Sequence, residues 1–427
     1  MILNYIWIAF FIIGFIIALI RFAGYFFSDF FLQTLNIVFG QADRDIFQTI
    51  IQNVFQSAKT SVDISIYLIG IMTLWLGIMK IGEKGGAVKG MSKLVSPLFN
   101  RIFPGLPRKH PVMGSMLMNL SANMLGLDNA ATPLGLNAMN ELQEINSDKD
   151  TASNSMIMFL VLNTAGMTVL PISIIAMRAA CGAANPTDVF IPLLIATYCA
   201  TITGMIYVSI VQKIKLFQPV VLAYILGITA ILAGLILYLN SLPPARASVF
   251  SAVSGNMLLL LVIILFFFMG IRKKVNLYDT FIEGAKEGFT IAIKIIPYLV
   301  AMLVAIGVFR ASGAMDFLLA GLGKFFALFG FDTEFVKALP VALMKPLSGS
   351  GARGLMVETM QTYGADSFPG FLACIFQGST ETTFYVIAVY FGSVNIKKTR
   401  YAVTAGLIAD LAGMLTAIFV AYLFFKG

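Results

Sequence analysis

The stretch Phe376-Gln-Gly-Ser-Thr-Glu-Thr-Thr-Phe-Tyr385 puts six polar side chains into ten positions of a segment that otherwise reads as membrane. From Ser367 to Ile396 the only formal charge is Glu381, at the middle of the run. As one straight helix these residues would extend about 45 Å, longer than the roughly 30 Å of hydrocarbon needs. With Gly378 at its centre, the run reads instead as two short arms meeting at a polar tip, where a broken helix exposes backbone groups that a continuous helix cannot offer.

The rest of the chain supports a membrane reading. Its 427 residues are 59% hydrophobic and 12% charged, with a mean hydropathy of +0.88, outside the range of ordinary soluble domains. Clear apolar runs cover Ile2 to Ile20, Ile64 to Met79, Phe190 to Val211, Pro219 to Leu239, Met257 to Gly270, Ile291 to Val308 and Ala402 to Phe425. The first lacks a basic leader and a small-residue cleavage site, so it reads as a retained helix. The net charge of +8 lies in short clusters between apolar runs, which is the pattern of orientation signals and argues against nucleic acid as a partner.

Comparing the chain with itself reveals a repeat. Ser57-Ala-Lys-Thr leads through an apolar helix to Gly86-Ala87, as Gly284-Ala-Lys-Glu leads to Gly313-Ala314, an ungapped offset of 227. Ala131 to Met139 then matches Ala352 to Met360, Asn163-Thr164 and Thr168 fall opposite Gly378-Ser379 and Thr383, and Gly204-Met205 opposite Gly413-Met414. Basic clusters at Lys213 and Lys215, Arg272-Lys-Lys274 and Lys397-Lys398-Arg400, all placed on the cytoplasmic side, give the two halves opposite orientations. The expected division is an N-terminal membrane segment (1–56), a first repeat (57–215), a central helix pair (216–276) and a second repeat (277–427).

Polar groups at membrane depth must pair or face water, and ionisable ones there are functional by default. The candidates for substrate or ion binding in the second half are Glu381 with Gln377, Ser379, Thr380 and Thr383, then Lys345, Ser348 and Arg353, and Asp410. In the first half they are Asn163, Thr164 and Thr168, with Asn123, Asp128 and Asn129. A pairing of Glu381 with Lys345 or Arg353, and of Asp410 with Arg353, is the competing structural reading. Cys181, Cys199 and Cys374 lie in apolar segments without metal spacing, His110 is the only histidine, and no nucleophile and base pair with recognisable spacing occurs. The chain therefore reads as non-enzymatic, without metal or cofactor.

Two blocks of motif carry a resemblance. Trp75-Leu-Gly-Ile-Met-Lys-Ile81 and Asn123-Met-Leu-Gly-Leu-Asp-Asn-Ala-Ala-Thr-Pro-Leu-Gly135 resemble spore maturation protein A, whereas Phe281-Ile-Glu-Gly-Ala-Lys-Glu-Gly288 and Gln377-Gly-Ser-Thr-Glu-Thr-Thr-Phe-Tyr-Val386 resemble spore maturation protein B. The chain looks like a fusion of the two, within the nucleoside recognition or Gate family, which also includes concentrative nucleoside transporters and the membrane part of ferrous iron transporter B. The resemblance implies that Gln377 to Glu381 is a variant of the Gly-Gln-Thr-Glu hairpin tip that contacts nucleoside in those transporters, with Gln and Gly exchanged and Ser379 extra.

The expected fold is all-α, a polytopic membrane protein with two inverted-topology Gate-type repeats, each with broken helices or helical hairpins. The expected function is a carrier in the bacterial cytoplasmic membrane. It would bind a small polar solute, nucleoside-like or other, or a coupling ion such as sodium or a proton. Its surroundings would be the lipid bilayer and, as a homo-oligomer, further copies of itself. The alternative is a non-transporting factor of envelope or spore maturation.

Overall fold

The computed structural model describes residues 2–36, 38–107, 110–241 and 244–425, with side chains at 2, 35, 128–130, 239–240, 244–248 and 251–252 left undescribed. Among the described residues the secondary structure is helical, without a strand. The first half comprises α1 (Ile2–Phe26), α2 (Ser28–Leu35), α3 (Gln41–Arg44), α4 (Ile46–Gly85), α5 (Ala87–Ile102), α6 (Val112–Met124), α7 (Asp128–Glu144), α8 (Asn154–Thr164), α9 (Ile172–Ala180) and α10 (Phe190–Val211). α11 (Pro219–Ser241) and α12 (Pro244–Arg272) form the central pair. The second half comprises α13 (Leu277–Ala311), α14 (Ala314–Ala327), a short 3-10 helix (Glu334–Ala338), α15 (Leu339–Met344), α16 (Gly349–Tyr363), α17 (Phe368–Ser379), α18 (Thr383–Ser393) and α19 (Ala402–Phe425).

Seven of these, α1, α4, α10, α11, α12, α13 and α19, are long and apolar enough to cross a membrane, and each contains or matches one apolar run of the sequence. α4 continues without interruption through position 56. Several helices start where sequence chemistry puts a cap: the Ser153 hydroxyl accepts from Met156 N at 3.2 Å, Ser348 from Gly351 N at 3.0 Å and Ser367 from Gly370 N at 3.1 Å.

The opening helices of the two halves lie against each other antiparallel. Along them Gly77 meets Phe281, Gly288 meets Met72 and Gly307 meets Ser57. The approach is close: a Cβ added at Gly288 would lie 2.5 Å from the Met72 carbonyl oxygen, a backbone atom that cannot swing away. Gly288→Val is therefore expected to lower the thermal midpoint in detergent by the equivalent of about 1–3 kcal/mol. Gly321→Val, with nothing within 4 Å of the added carbon, is expected to leave it unchanged.

α10 and α19 are also antiparallel, with Gly204 against Ala409 and Gly413 against Ala200. Small residues there let the two backbones approach. These helices act as rulers for the interrupted segments beside them. α19 has 24 residues, about 36 Å. Its far end holds Tyr422 and Phe425, whose rings lie 4.6 and 5.6 Å from that of Phe368 at the start of α17. α18 ends instead just before the near end of α19, where Lys397 N and Lys398 N donate to Asp150 O. α17 and α18 together thus run the length of α19.

The stretch 376–385 is therefore the break in a crossing helix, and the expectation of a hairpin tip there is corrected. The same holds for α8 and α9: Gln212 at the end of α10 donates to Asn154 O at 2.8 Å, while Arg178 reaches Asp188, just before the start of α10, at 2.9 Å. The two broken helices run antiparallel, with Phe159 stacked on Tyr390 at one end and Arg178 bonded to Ala365 O at the other.

Hairpins do occur, on other segments. α6 and α7 fold back on one another, joined by Asn137 to Ser115 at 3.1 Å and Asn119 to Ala131 O at 2.8 Å, with their tip at Leu125 to Leu127. α15 and α16 form the second hairpin, with its tip at Lys345 to Ser348. The base of the first adjoins α18's end, where Gln143 donates to Val394 O at 3.1 Å. α16 ends at the opposite end of the bundle, where Gly364 leads into α17.

Candidate functional site

The two breaks meet halfway across the bundle. Glu381 N donates to Thr164 O at 2.7 Å, so the backbone of one interruption caps that of the other. Each hairpin tip then clasps the broken helix of its own half in the same way: Val169 N donates to Met124 O at 2.8 Å, and Phe384 N to Pro346 O at 3.1 Å. Backbone groups freed by the interruptions are thereby satisfied inside the protein, as membrane depth requires. At 380–382 the helix is interrupted, with Thr380 extended (φ −147°, ψ 173°). In the first half Pro171 ends the interruption and starts α9.

A cavity of about 170 Å³ lies beside this meeting point, walled by α4 and α13 and by both breaks. Of the residues singled out in the sequence, it brings together Glu381, Gln377, Thr380, Thr168, Lys345 and Arg353. Glu381 is exposed into it, Arg353 half-buried and Lys345 buried. Leu76, Met79 and Ile291 are shared with a wider vestibule lined by Lys80, Glu83, Lys286, Glu287 and Lys294. Lys80 reaches Glu83 on its own helix and, across that vestibule, Glu287 on α13, each at 3.3 Å.

Other candidates support the lining from behind. The Thr383 hydroxyl donates to Asp410 Oδ2 at 2.5 Å, and Lys345 and Thr380 are further polar groups acting on that carboxylate. Asp410 is thus held by α17, α18 and the second hairpin, and Arg353 is not its ion-pair partner. Among the described residues Glu381 and Arg353 form no ion pair with each other. Ser379 donates to Phe376 O at 3.0 Å, and Ser348 is the cap of α16. Asn163 is buried and accepts from Asn123 at 2.7 Å, while Thr164 contributes its carbonyl oxygen to the clasp. Thr201 donates to Ala165 O at 3.0 Å. The side chains of Asp128 and Asn129 lie outside those described.

Two groups went unrecognised in the sequence. Tyr390 Oη lies 3.3 Å from both Asn163 Oδ1 and Asn119 Nδ2, closing a buried polar cluster between the halves. Arg178 is fully buried, ion-paired to Asp188 and Asp366 and bonded to Ala365 O. Its signal was present: Arg178 is the only formal charge between Ala152 and Thr187.

This architecture defines a multi-pass α-helical membrane protein in which two similar halves each supply a broken helix and a hairpin to one internal cavity. The chain belongs to the Gate family, described as nucleoside recognition, whose sequence model matches residues 65–181 and 292–397, one region in each half and together just over half the chain. It is 51% identical over 156 residues to spore maturation protein B of Bacillus subtilis (strain 168), covering 36% of this chain and 86% of that protein. It is 39% identical over 175 residues to spore maturation protein A of the same organism, covering 41% of this chain and 89% of that protein. No solved structure matches the chain.

Proposed function

We propose that the protein is a carrier for a small polar solute, with the site at the meeting of two inverted repeats in the bacterial cytoplasmic membrane. The observation that carries this reading is the cavity at the contact of the two breaks, where Glu381 and Arg353 share one lining. Broken helices meeting near the middle of the crossing, between repeats, are a recurrent build of secondary transporters. Inversion is supported by the antiparallel pairs of equivalent helices, α4 with α13, α8–α9 with α17–α18 and α10 with α19, and by hairpins that enter from opposite ends.

The basic groups at the end of α10, the end of α12 and the start of α19 share one end of the bundle, the end assigned to the cytoplasm. The vestibule of Lys80, Glu83, Lys286, Glu287 and Lys294 opens towards that end and serves as the entrance. Asp410 with Thr383 is suited to a coupling ion, sodium or a proton, since a buried carboxylate at membrane depth with hydroxyl neighbours can exchange one for the other.

The reading is tested by reconstituting the full chain in proteoliposomes and measuring uptake of a labelled panel of nucleosides, amino acids and small carboxylates. Glu381→Gln is expected to reduce the rate for the accepted solute at least tenfold. Equal rates in wild type and variant would remove Glu381 from the mechanism.

A further inference from the structure

The second half places two opposite charges on one cavity without letting them meet. Glu381, on the break between α17 and α18, and Arg353, on the first turns of α16, both line it. Neither takes part in an ion pair among the described residues. A charge inside a membrane protein is costly unless paired. Two such charges facing one space are each satisfied by a ligand carrying the complementary pair.

A second observation is independent of charge. Gln377 is 6% exposed and lines the same cavity, yet its Oε1 is buried without a hydrogen-bond partner. Its Nε2 reaches only Gly349 O, at 3.4 Å. Buried acceptors in native structures are nearly always satisfied, so this oxygen, in the last turn of α17, calls for an N–H or O–H donor close to Glu381, four residues on.

Size narrows the class. A cavity of about 150 Å³ takes one benzene ring. The about 170 Å³ here therefore suits a solute of roughly six to ten non-hydrogen atoms, smaller than a nucleoside. We propose that the carrier's solute is a small zwitterion, its carboxylate held by the planar fork of Arg353 and its ammonium by Glu381 and Gln377 Oε1. This inference rests on the carrier reading and specifies its substrate class.

The test is ligand-dependent thermal stabilisation of the detergent-purified full chain. The probes are glycine, β-alanine, 4-aminobutyrate and 6-aminohexanoate, which vary the distance between charges, with butyrate, butylamine and uridine as monopolar and neutral comparisons. At least one zwitterion is expected to raise the midpoint. Its half-saturating concentration is expected to rise at least tenfold in Glu381→Gln and in Arg353→Gln, and to stay unchanged in Glu283→Gln, an exposed charge paired with Lys84 that lines neither the cavity nor the vestibule. Should Arg353→Gln not purify, Arg353→Lys, which keeps charge and loses the fork, is expected to weaken the response. Stabilisation by uridine, or by butyrate alone, that is lost in Glu381→Gln or Arg353→Gln would overturn the zwitterion and leave the carrier standing. A zwitterion response indifferent to both variants would overturn the proposed contacts, and silence from every probe would overturn both readings.

Discussion

Arg178→Met is expected to produce the largest loss of stability of any single replacement considered, about 3–5 kcal/mol, read as a fall in the thermal midpoint in detergent. The guanidinium is 0% exposed and lies 2.9 Å from Asp188 and 3.3 Å from Asp366. Methionine retains most of the packing volume but removes the cation that both carboxylates face. Arg178→Met combined with Asp188→Asn is accordingly expected to recover part of the loss. Asp188 lies in the turn before α10, where burial, opposed by Arg178 and reinforced by Asp366, pushes its carboxyl up to about 6. The folded protein thus holds this proton at a pH where the unfolded chain, titrating near about 3.9, has released it. Acidification through that window favours the folded state. Lowering the pH from 7 to 5 should therefore raise the midpoint of wild type relative to Asp188→Asn, and a parallel pH profile for the two would refute the assignment.

The spans were legible in the sequence because each is a continuous apolar run, and bilayer thickness sets the length such a run must have. The breaks were legible for the complementary reason: Asn163-Thr164-Ala-Gly166 and Gln377 to Thr383 are polar clusters inside apolar segments, where only a special backbone tolerates them. Direction was not legible. Thirty residues with a polar centre describe a hairpin and a broken crossing equally well. What separates them is contact at the outer ends, Arg178 with Asp366 and Lys398 with Ala152, between residues far apart in sequence. The true hairpins escaped notice because their arms are short or mixed in polarity: α15 has 6 residues, and α7 carries Asn137, Asn140, Glu141 and Glu144 along an apolar framework.

Within the site, Glu381 could be found because charge is rare at that depth, and Lys345 and Arg353 followed from the same logic. The division of labour among the polar residues could not. Whether a threonine lines a cavity or bonds a neighbour depends on the rotation of its helix against partners from the other half. Thr383 accordingly bonds Asp410, while Thr380, in the break, lines the cavity and also faces that carboxylate. Tyr390 was hidden for another reason: on an apolar helix a tyrosine reads as an interface residue, and its role appears only once Asn163 and Asn119 are brought beside it.

Gly126→Ala is expected to damage the site more than its modest change suggests, and Gly182→Ala isolates why. Both glycines have left-handed backbone, φ +71° and +80°, so alanine carries a similar conformational penalty at either position, on the order of 1 kcal/mol. Their surroundings differ. Nothing lies within 4 Å of a Cβ built at Gly182, whereas at Gly126 it would sit 2.6 Å from Leu170 O. That carbonyl belongs to the first break, and Gly126 is at the tip of the hairpin that clasps it through Met124 O and Val169 N. Relief of the collision requires the tip and the break to separate. The clasp then opens, and Thr168, Leu170 and Pro171 move from the cavity wall. Gly182→Ala should lower the thermal midpoint slightly and leave solute response intact. Gly126→Ala should lower it by a further 1–3 kcal/mol equivalent, a figure of about the usual size for overpacking, and weaken the response at least tenfold. Equal behaviour of the two variants would mean that the hairpin tip does not hold the break in place.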